Sequence, residues 1–419
     1  MLAKTLAREW QYIFSCLFVV FLPYGGEIWP LIILGLIFWF RSKPHFNFRG
    51  LSLVSWIFIL FFIFYVLGMV HASDKRYSFE VLKNNLGFII VPILFYNNSI
   101  TRKQLNSILR IFCISNIAVS IYLIARAVII SVYWGEPIYN YSKYSVFWHP
   151  TYFSFFFVFS IAILHLVGFT FFSKPKYDSI LKAVFSGILT TSVMLCCSKM
   201  GYISLLSTYL IVFIHFAIKH FSIPKILVSM LVTTLVLIVF SNTILKANNR
   251  FNNMTLDYHL TKGLNYWDIK QFNIETAKQG LNQKESTLAR IFIWSSAWPA
   301  IKQHILLGVG TGDVSKAMSD SAENYGIKFL KKYNMHNQFL ETQLGMGIGG
   351  TLILLFLTIG SLIYAIKRRD VVFSIFALLA ILNFSVESML ISHLFPLFFS
   401  LLLFLFFHAN KNLEEINSD

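Results

Sequence analysis

A chain of 419 residues that is 56% hydrophobic, 17% aromatic and only 13% charged, with a mean hydropathy of +0.65, is too apolar for an ordinary soluble domain. About a quarter of the residues of such a domain carry charge, so the composition is that of a polytopic membrane protein. The net charge of +16 does not point to nucleic acid, because the basic residues fall in short patches between apolar runs, where membrane orientation accounts for them.

Roughly twenty apolar residues cross a bilayer as a helix, and on that measure the chain holds about twelve spans. They fall at about 7–23, 27–41, 51–70, 82–97, 106–131, 151–172, 180–197, 201–218, 224–245, 344–366, 371–390 and 393–408. The first follows Lys4 and Arg8 and has no small-residue cleavage site behind it, so it reads as a retained helix. Residues 1–245 thus form spans one to nine, 246–343 a large outer loop, 344–408 spans ten to twelve, and 409–419 a tail.

Threading twelve spans puts the basic patches on one face: Lys4 and Arg8, Arg41 to Arg49, Arg102 to Arg110, Lys174 to Lys182, Lys219 and Lys225, and Lys367 to Arg369. By the positive-inside rule that face is the cytoplasm, which places both termini inside and the long loop outside. Lys75 and Arg76 break the rule, either as a contribution to a site or as a surface pair balanced by Asp74. Cys16, Cys113, Cys196 and Cys197 lie in or beside apolar runs without a Cys-x-x-Cys pattern, and read as small apolar side chains.

Groups suited to chemistry gather on the outer side. His149-Pro150 opens the sixth span behind Trp134, Tyr139, Tyr141, Tyr144 and Trp148, which form either an interfacial belt or a platform for sugar rings. Lys199, after Cys196-Cys197-Ser198 and before Met200-Gly201, stands against the positive-inside trend; it either serves a site or snorkels to headgroups. Within the loop, Ile291, Trp294, Trp298, Ile301 and Ile305 recur three or four apart and predict an amphipathic helix bent near Pro299, lying on the membrane or on the bundle. Arg290 begins that helix. It is either a solvated charge or, through its planar fork, a diphosphate ligand.

A second helix is predicted over about 313–332 and a third from near Asn334 into the tenth span. His336-Asn337 stands at that helix start, where the dipole favours an anion, and a neutral histidine there is able to take a proton from an attacking hydroxyl. The alternative is a surface histidine at a helix cap. Gly345 and Gly349 suit close helix packing. Glu387, near the outer end of the eleventh span, either pairs with a basic group of the site or reaches water. Walker A, Gly-x-Ser-x-Gly, His-Glu-x-x-His and Asp-x-Asp patterns are all missing, which removes weight from ATP-driven and metal-dependent chemistry and leaves neither a cofactor nor a metal ligand set to assign.

The order Ser198-Lys199-Met200-Gly201, Arg290-x-x-x-Trp294, Gly308-x-Gly310-x-Gly312 and His336-Asn337 resembles the bacterial O-antigen ligase superfamily, which includes O-antigen polymerases and some protein O-oligosaccharyltransferases. The resemblance implies an all-α, GT-C-like, metal-independent and inverting glycosyltransferase of the bacterial inner membrane. Its donor would be a glycan on undecaprenyl diphosphate, bound at the periplasmic face. The ligase acceptor would be a sugar of the lipid A core, the polymerase acceptor a second lipid-linked glycan, and the third acceptor class a protein hydroxyl. A transporter of lipid-linked sugars is the contrasting reading, and the placement of unusual groups on one face speaks against it. Carried over by residue, His336 would be the base, Arg290 would bind the diphosphate, and Lys199 would stand where the family commonly has Arg. His149, Asn337, Trp294 and Glu387 are the further expected substrate contacts. The loop reads as a lid that brings Arg290 and His336 down toward Lys199.

Overall fold

The computed structural model describes residues 2–26, 29–41, 50–96, 100–136, 138, 141–220, 261–272, 287–327, 333–392 and 394–416. Among them there is no strand. The helices are α1 (Leu2–Phe21), α2 (Trp29–Arg41), α3 (Leu53–His71), α4 (Lys75–Asn84), α5 (Gly87–Leu94), α6 (Arg102–Trp134), α7 (Tyr141–Tyr144), α8 (Pro150–Leu166), α9 (Pro175–Leu195) and α10 (Lys199–His220). After them come α11 (Thr287–Gln303), α12 (Val314–Glu323), α13 (Gln338–Leu355), a π-helical turn leading into α14 (Ser361–Lys367), α15 (Val371–Phe384) and α16 (Phe395–Ile416).

Among the described residues, five helical stretches are long and apolar enough to cross a membrane: α3, α6, α9, Lys199–Ile218 of α10, and the run from α13 through α14. Three shorter apolar helices, α8, α15 and Phe395–Ala409 of α16, pack among them. The expected ninth span, 224–245, and the loop segments 246–260, 273–286 and 328–332 lie outside the described residues.

The sequence explains why α8 is central. From Pro150 to Leu164 every side chain is buried, so this helix has no lipid face and its 17 residues need not match a bilayer. Its phenylalanines interlock with neighbours: Phe155 and Phe395 meet edge-to-face at 5.4 Å, and Phe156 and Phe398 at 5.0 Å. Lipid tails are as apolar as these side chains, so dense van der Waals contact holds such a bundle together more than exclusion from water does.

Several predicted boundaries shift for local reasons. The fourth span divides into α4 and α5, because Asn84 and Asn85 donate their amides to the carbonyls of Ile391 and Leu390. The sixth stops at Leu166, where the Arg110 guanidinium donates to the carbonyls of Val167 and Gly168. The eleventh stops at Phe384, which leaves Glu387 in a non-helical connection. Arg102 pairs with Asp370 and Lys182 with Asp178.

The described part of the excursion has a core of its own. Ile291, Phe292, Ile293 and Ala297 of α11 pack with Met318 and Ala322 of α12, and Leu344 of α13 joins them. The α11 helix continues through Pro299 to Gln303. The second predicted helix ends at Glu323, short of the expected 332, and the third starts only at Gln338, because His336 has a positive φ and Asn337 forms the cap.

The Gly-rich loop after α11 enters a break in α13. At Gly347, φ is 69° and the helical bond from Ile348 N–H to the Leu344 carbonyl is lost. Both groups find partners in the loop: the Leu344 carbonyl accepts from Val309 N–H at 2.7 Å, and Ile348 N–H donates to the Ile305 carbonyl at 2.9 Å. Gly310 N–H adds a bond to the Gly345 carbonyl at 3.1 Å. Non-helical backbone at this depth requires such satisfaction. A Cβ on Gly310 would stand 2.7 Å from the Ala72 Cα, so these glycines serve close packing. Gly349 does the same against the Phe64 ring. A Cβ on Gly347 would lie 2.1 Å from the Leu306 carbonyl oxygen, on a backbone that side chains resist. Gly347→Ala is therefore expected to cost about 2 kcal/mol or more and to lower the thermal unfolding midpoint of the purified protein. An unchanged midpoint would show that the break is easily remodelled.

Candidate active site

A cavity of about 420 Å³ opens at the end of the bundle where α8 starts, the Tyr333–Asn337 segment passes and the chain runs from α15 to α16. His149, Tyr152, Asn334, His336 and Glu387 line it, with Trp148 at its side. Three of the residues singled out in the sequence, His149, His336 and Glu387, thus meet in one space.

His336 is placed by its surroundings rather than by a helix. Its φ of 44° is unusual for a residue with a side chain and costs about 1–3 kcal/mol. Neighbouring bonds hold it there. Trp294 Nε1–H donates to the Met335 carbonyl at 2.8 Å, Met335 N–H donates to Glu341 at 2.9 Å, and His336 N–H donates to Asn334 Oδ1 at 3.1 Å. Asn337 caps α13 by accepting from the N–H groups of Phe339 and Leu340, while its amide donates to the Ser385 carbonyl. Both ends of the Asn337 side chain are therefore bound within the protein. Trp294 likewise uses its one N–H to fix the segment that carries His336.

His336 Nδ1 lies 3.2 Å from Glu387 Oε2. The side chain of Glu387 is only 7% exposed against 25% for His336, so the carboxylate is the buried partner and the imidazole faces the cavity. Burial pushes the Glu387 carboxyl up, but the His336 hydrogen bond and the charges of His336, His149 and Arg290 outweigh it and hold the group below its ordinary value. An ionised Glu387 accepts from Nδ1–H and leaves Nε2 of His336 with a lone pair, the arrangement of an oriented base. Second-row bonds support the pair: Glu341 accepts from Ser388 Oγ at 3.1 Å, and Tyr141 O–H and His149 Nε2 lie 2.9 Å apart.

Arg290 sits in the first turn of α11, close enough for its charge to act on Glu387, although it does not line the cavity. Lys199 is the first residue of α10, half-buried, and does not line the cavity either. Its level is fixed by Gly201, where a Cβ would meet Ser154 Oγ at 2.6 Å, so α10 closes onto α8 one turn from His149. One turn further on, Ser204 accepts from Asn383 at 3.2 Å, and the Asn383 carbonyl accepts from Glu387 N–H at 2.9 Å. Lys199, His149 and Glu387 thus share one end of the bundle. Among the described residues no three His, Cys, Asp or Glu side chains are grouped as a metal ion would need.

Residues 183–355 match the family model described as O-antigen ligase. That segment supports a place for the protein in the O-antigen ligase superfamily. No curated protein matches it at a significant level. The O-antigen ligase segment contains Lys199, Arg290 and His336 but neither His149 nor Glu387, so the fold joins residues from inside and outside that segment in one cavity. A glycosyltransferase-like, multi-pass membrane enzyme follows from the superfamily and the apolar helices.

Sequence reasoning left Tyr152, Asn334 and Ser392 out of the site, and Glu341 without a role. Tyr152 follows directly from His149 on the first turn of α8, so spacing pointed to it. Asn334 and Ser392 are placed by irregular backbone, which leaves no periodic signal. The aromatic cluster divides: Trp134 is 68% exposed like a belt residue, Tyr144 is buried with its hydroxyl on Ser192, and Trp148 donates to the Leu22 carbonyl beside the cavity. Tyr139 lies outside the described residues. Lys75 donates to the Met69 and Val70 carbonyls, and so caps α3. Asp74 caps α4 in turn.

Proposed function

We propose that this protein is an O-antigen ligase that transfers a glycan from undecaprenyl diphosphate to a lipid A-core sugar at the periplasmic face of the bacterial inner membrane. The observation that carries the reading is the His336–Glu387 pair, set in a cavity that His149 also lines and near the Arg290 charge, in a chain that carries an O-antigen ligase segment. His336 Nε2 takes the proton of the acceptor hydroxyl as that oxygen attacks the anomeric carbon. The C–O bond to the diphosphate breaks, undecaprenyl diphosphate leaves with the bonding electrons, and the configuration inverts. Arg290 and Lys199 stabilise the departing charge, which suits a donor whose leaving group is already an anion. The step needs no metal.

The lipopolysaccharide banding of a deletion strain tests the assignment. Loss of the whole ladder with carrier-linked polymer accumulating supports a ligase. One residual repeat on the core instead shows a polymerase, and an unchanged ladder with an unglycosylated protein shows a protein-glycosylating enzyme.

Lys199 supplies a point charge without the bidentate fork of Arg. Lys199→Ala is expected to lower transfer about 10- to 100-fold, and Lys199→Arg to retain most of it. Equal activity in wild type and both variants would remove Lys199 from the site.

A further inference from the structure

A second cavity, of about 550 Å³, lies away from His336, between the end of α3, the last turn of α11 and the length of α12. Its charged and polar lining comes from His71 at the end of α3, from Gln303 at the end of α11 and His304 just after it, and from Asp313, Lys316, Asp320, Asn324 and Tyr325 on and beside α12. The floor is fixed, because Asp313 accepts from the N–H groups of Ser73 and Asp74 and so ties the excursion to the end of α3.

The chemistry of the walls selects a ligand class. Lys316 is outnumbered by Asp313 and Asp320, so the walls carry no surplus positive charge to hold a phosphate. Side-chain amides, two imidazoles and a phenol are poor company for an acyl chain. They both donate and accept, as a hydroxyl-rich ligand requires, and the 41% exposed Tyr325 offers a flat face for the C–H side of a sugar ring. Ser321 lines the same cavity, is only 7% exposed, and its buried hydroxyl has no hydrogen-bond partner among the described residues. A buried hydroxyl left in that state points to a ligand or solvent group that completes it.

The position suits a glycan held far from the reacting bond. From Arg290 to Gln303 the α11 helix runs for about 20 Å at 1.5 Å per residue, a length covered by several linked sugars. We propose that this cavity is a distal subsite for a neutral oligosaccharide, gripping sugars of the transferred glycan several units from the bond that is broken. The inference rests on the reading of the protein as a glycan transferase.

The test uses the full-length protein in lipid nanodiscs and the double variant Gln303→Ala/Asn324→Ala, whose side chains are exposed and whose thermal unfolding is compared with wild type. Transfer is measured with carrier-linked donors bearing one repeat and bearing long polymer. Binding is measured separately with the same polymer released from its carrier by mild acid. The expected result is a rise of about tenfold in KM for the long donor, unchanged kcat/KM for the one-repeat donor, and a matching loss of affinity for the released polymer. Equal effects on both donors, or unaltered polymer binding by the variant, overturn the subsite. Wild-type protein that binds the released polymer at this cavity but transfers from neither donor would refute the transferase reading and leave the sugar site standing. Wild-type protein that does neither refutes both.

Discussion

His336→Ala is expected to fold and insert normally yet leave the glycan on its lipid carrier, with transfer reduced by about 10²- to 10⁴-fold, the usual contribution of a positioned base. Normal folding is expected because the bonds around this residue are made by its neighbours. Asn337 caps α13, Glu341 holds Met335 N–H, and Trp294 holds the Met335 carbonyl, all without the imidazole. The check is accumulation of carrier-linked polymer in cells with wild-type levels of the variant in the membrane. Retained ligation would remove His336 from the role of base and shift attention to His149, which lines the same cavity.

Glu387→Gln comes next in expected effect, at about 10²-fold or more. A carboxylate accepts only, and it therefore fixes the proton of His336 on Nδ1 and leaves Nε2 free to act. The Gln amide is able to donate instead and stabilises the opposite tautomer, in which Nε2 carries the proton and cannot accept another; such an exchange is known to cost far more than its geometry suggests. Because Glu387 acts through His336, it is a positioning residue, and the informative readout is kcat with KM held nearly constant. A loss confined to KM would argue that Glu387 contacts substrate. The pH sign follows from the lowered carboxyl: its contribution is complete above the ordinary value of 4.5 and is lost as the pH falls through the depressed one. Wild-type protein should therefore keep the pair through the neutral range and lose it only in acid.

Much of this arrangement was legible in the sequence, in an uneven way. Eleven of the twelve expected apolar segments coincide with described helices, since hydropathy reports directly on residues that meet lipid or core. His336, His149 and Glu387 were each distinguishable, because a polar group in an apolar setting stands out. Their meeting was not. Glu387 lies 51 residues after His336, and periodicity reveals the apolar face of a helix without saying which helix ends converge. The break in α13 was hidden for a different reason. Gly345, Gly347 and Gly349 look alike in the sequence, and although Gly349 serves packing against Phe64 as expected, Gly347 interrupts the helix because a loop some forty residues earlier supplies the missing bonds. Asn84 and Asn85 divided a predicted span in the same manner, through carbonyls more than 300 residues away.

That break changes how the excursion is able to move. A hinged cover would have to part from the bundle at the Gly-rich loop, where Val309, Gly310 and Thr311 donate to Leu344, Gly345 and Gly68 and where Ile305 accepts from Ile348. Each group stripped of its partner there costs about 1–3 kcal/mol. Trp294 ties down the middle of the same helix through Met335. The excursion is therefore a bracket, fastened at more than one point, and traffic of substrate and product has to use paths that leave these fastenings closed.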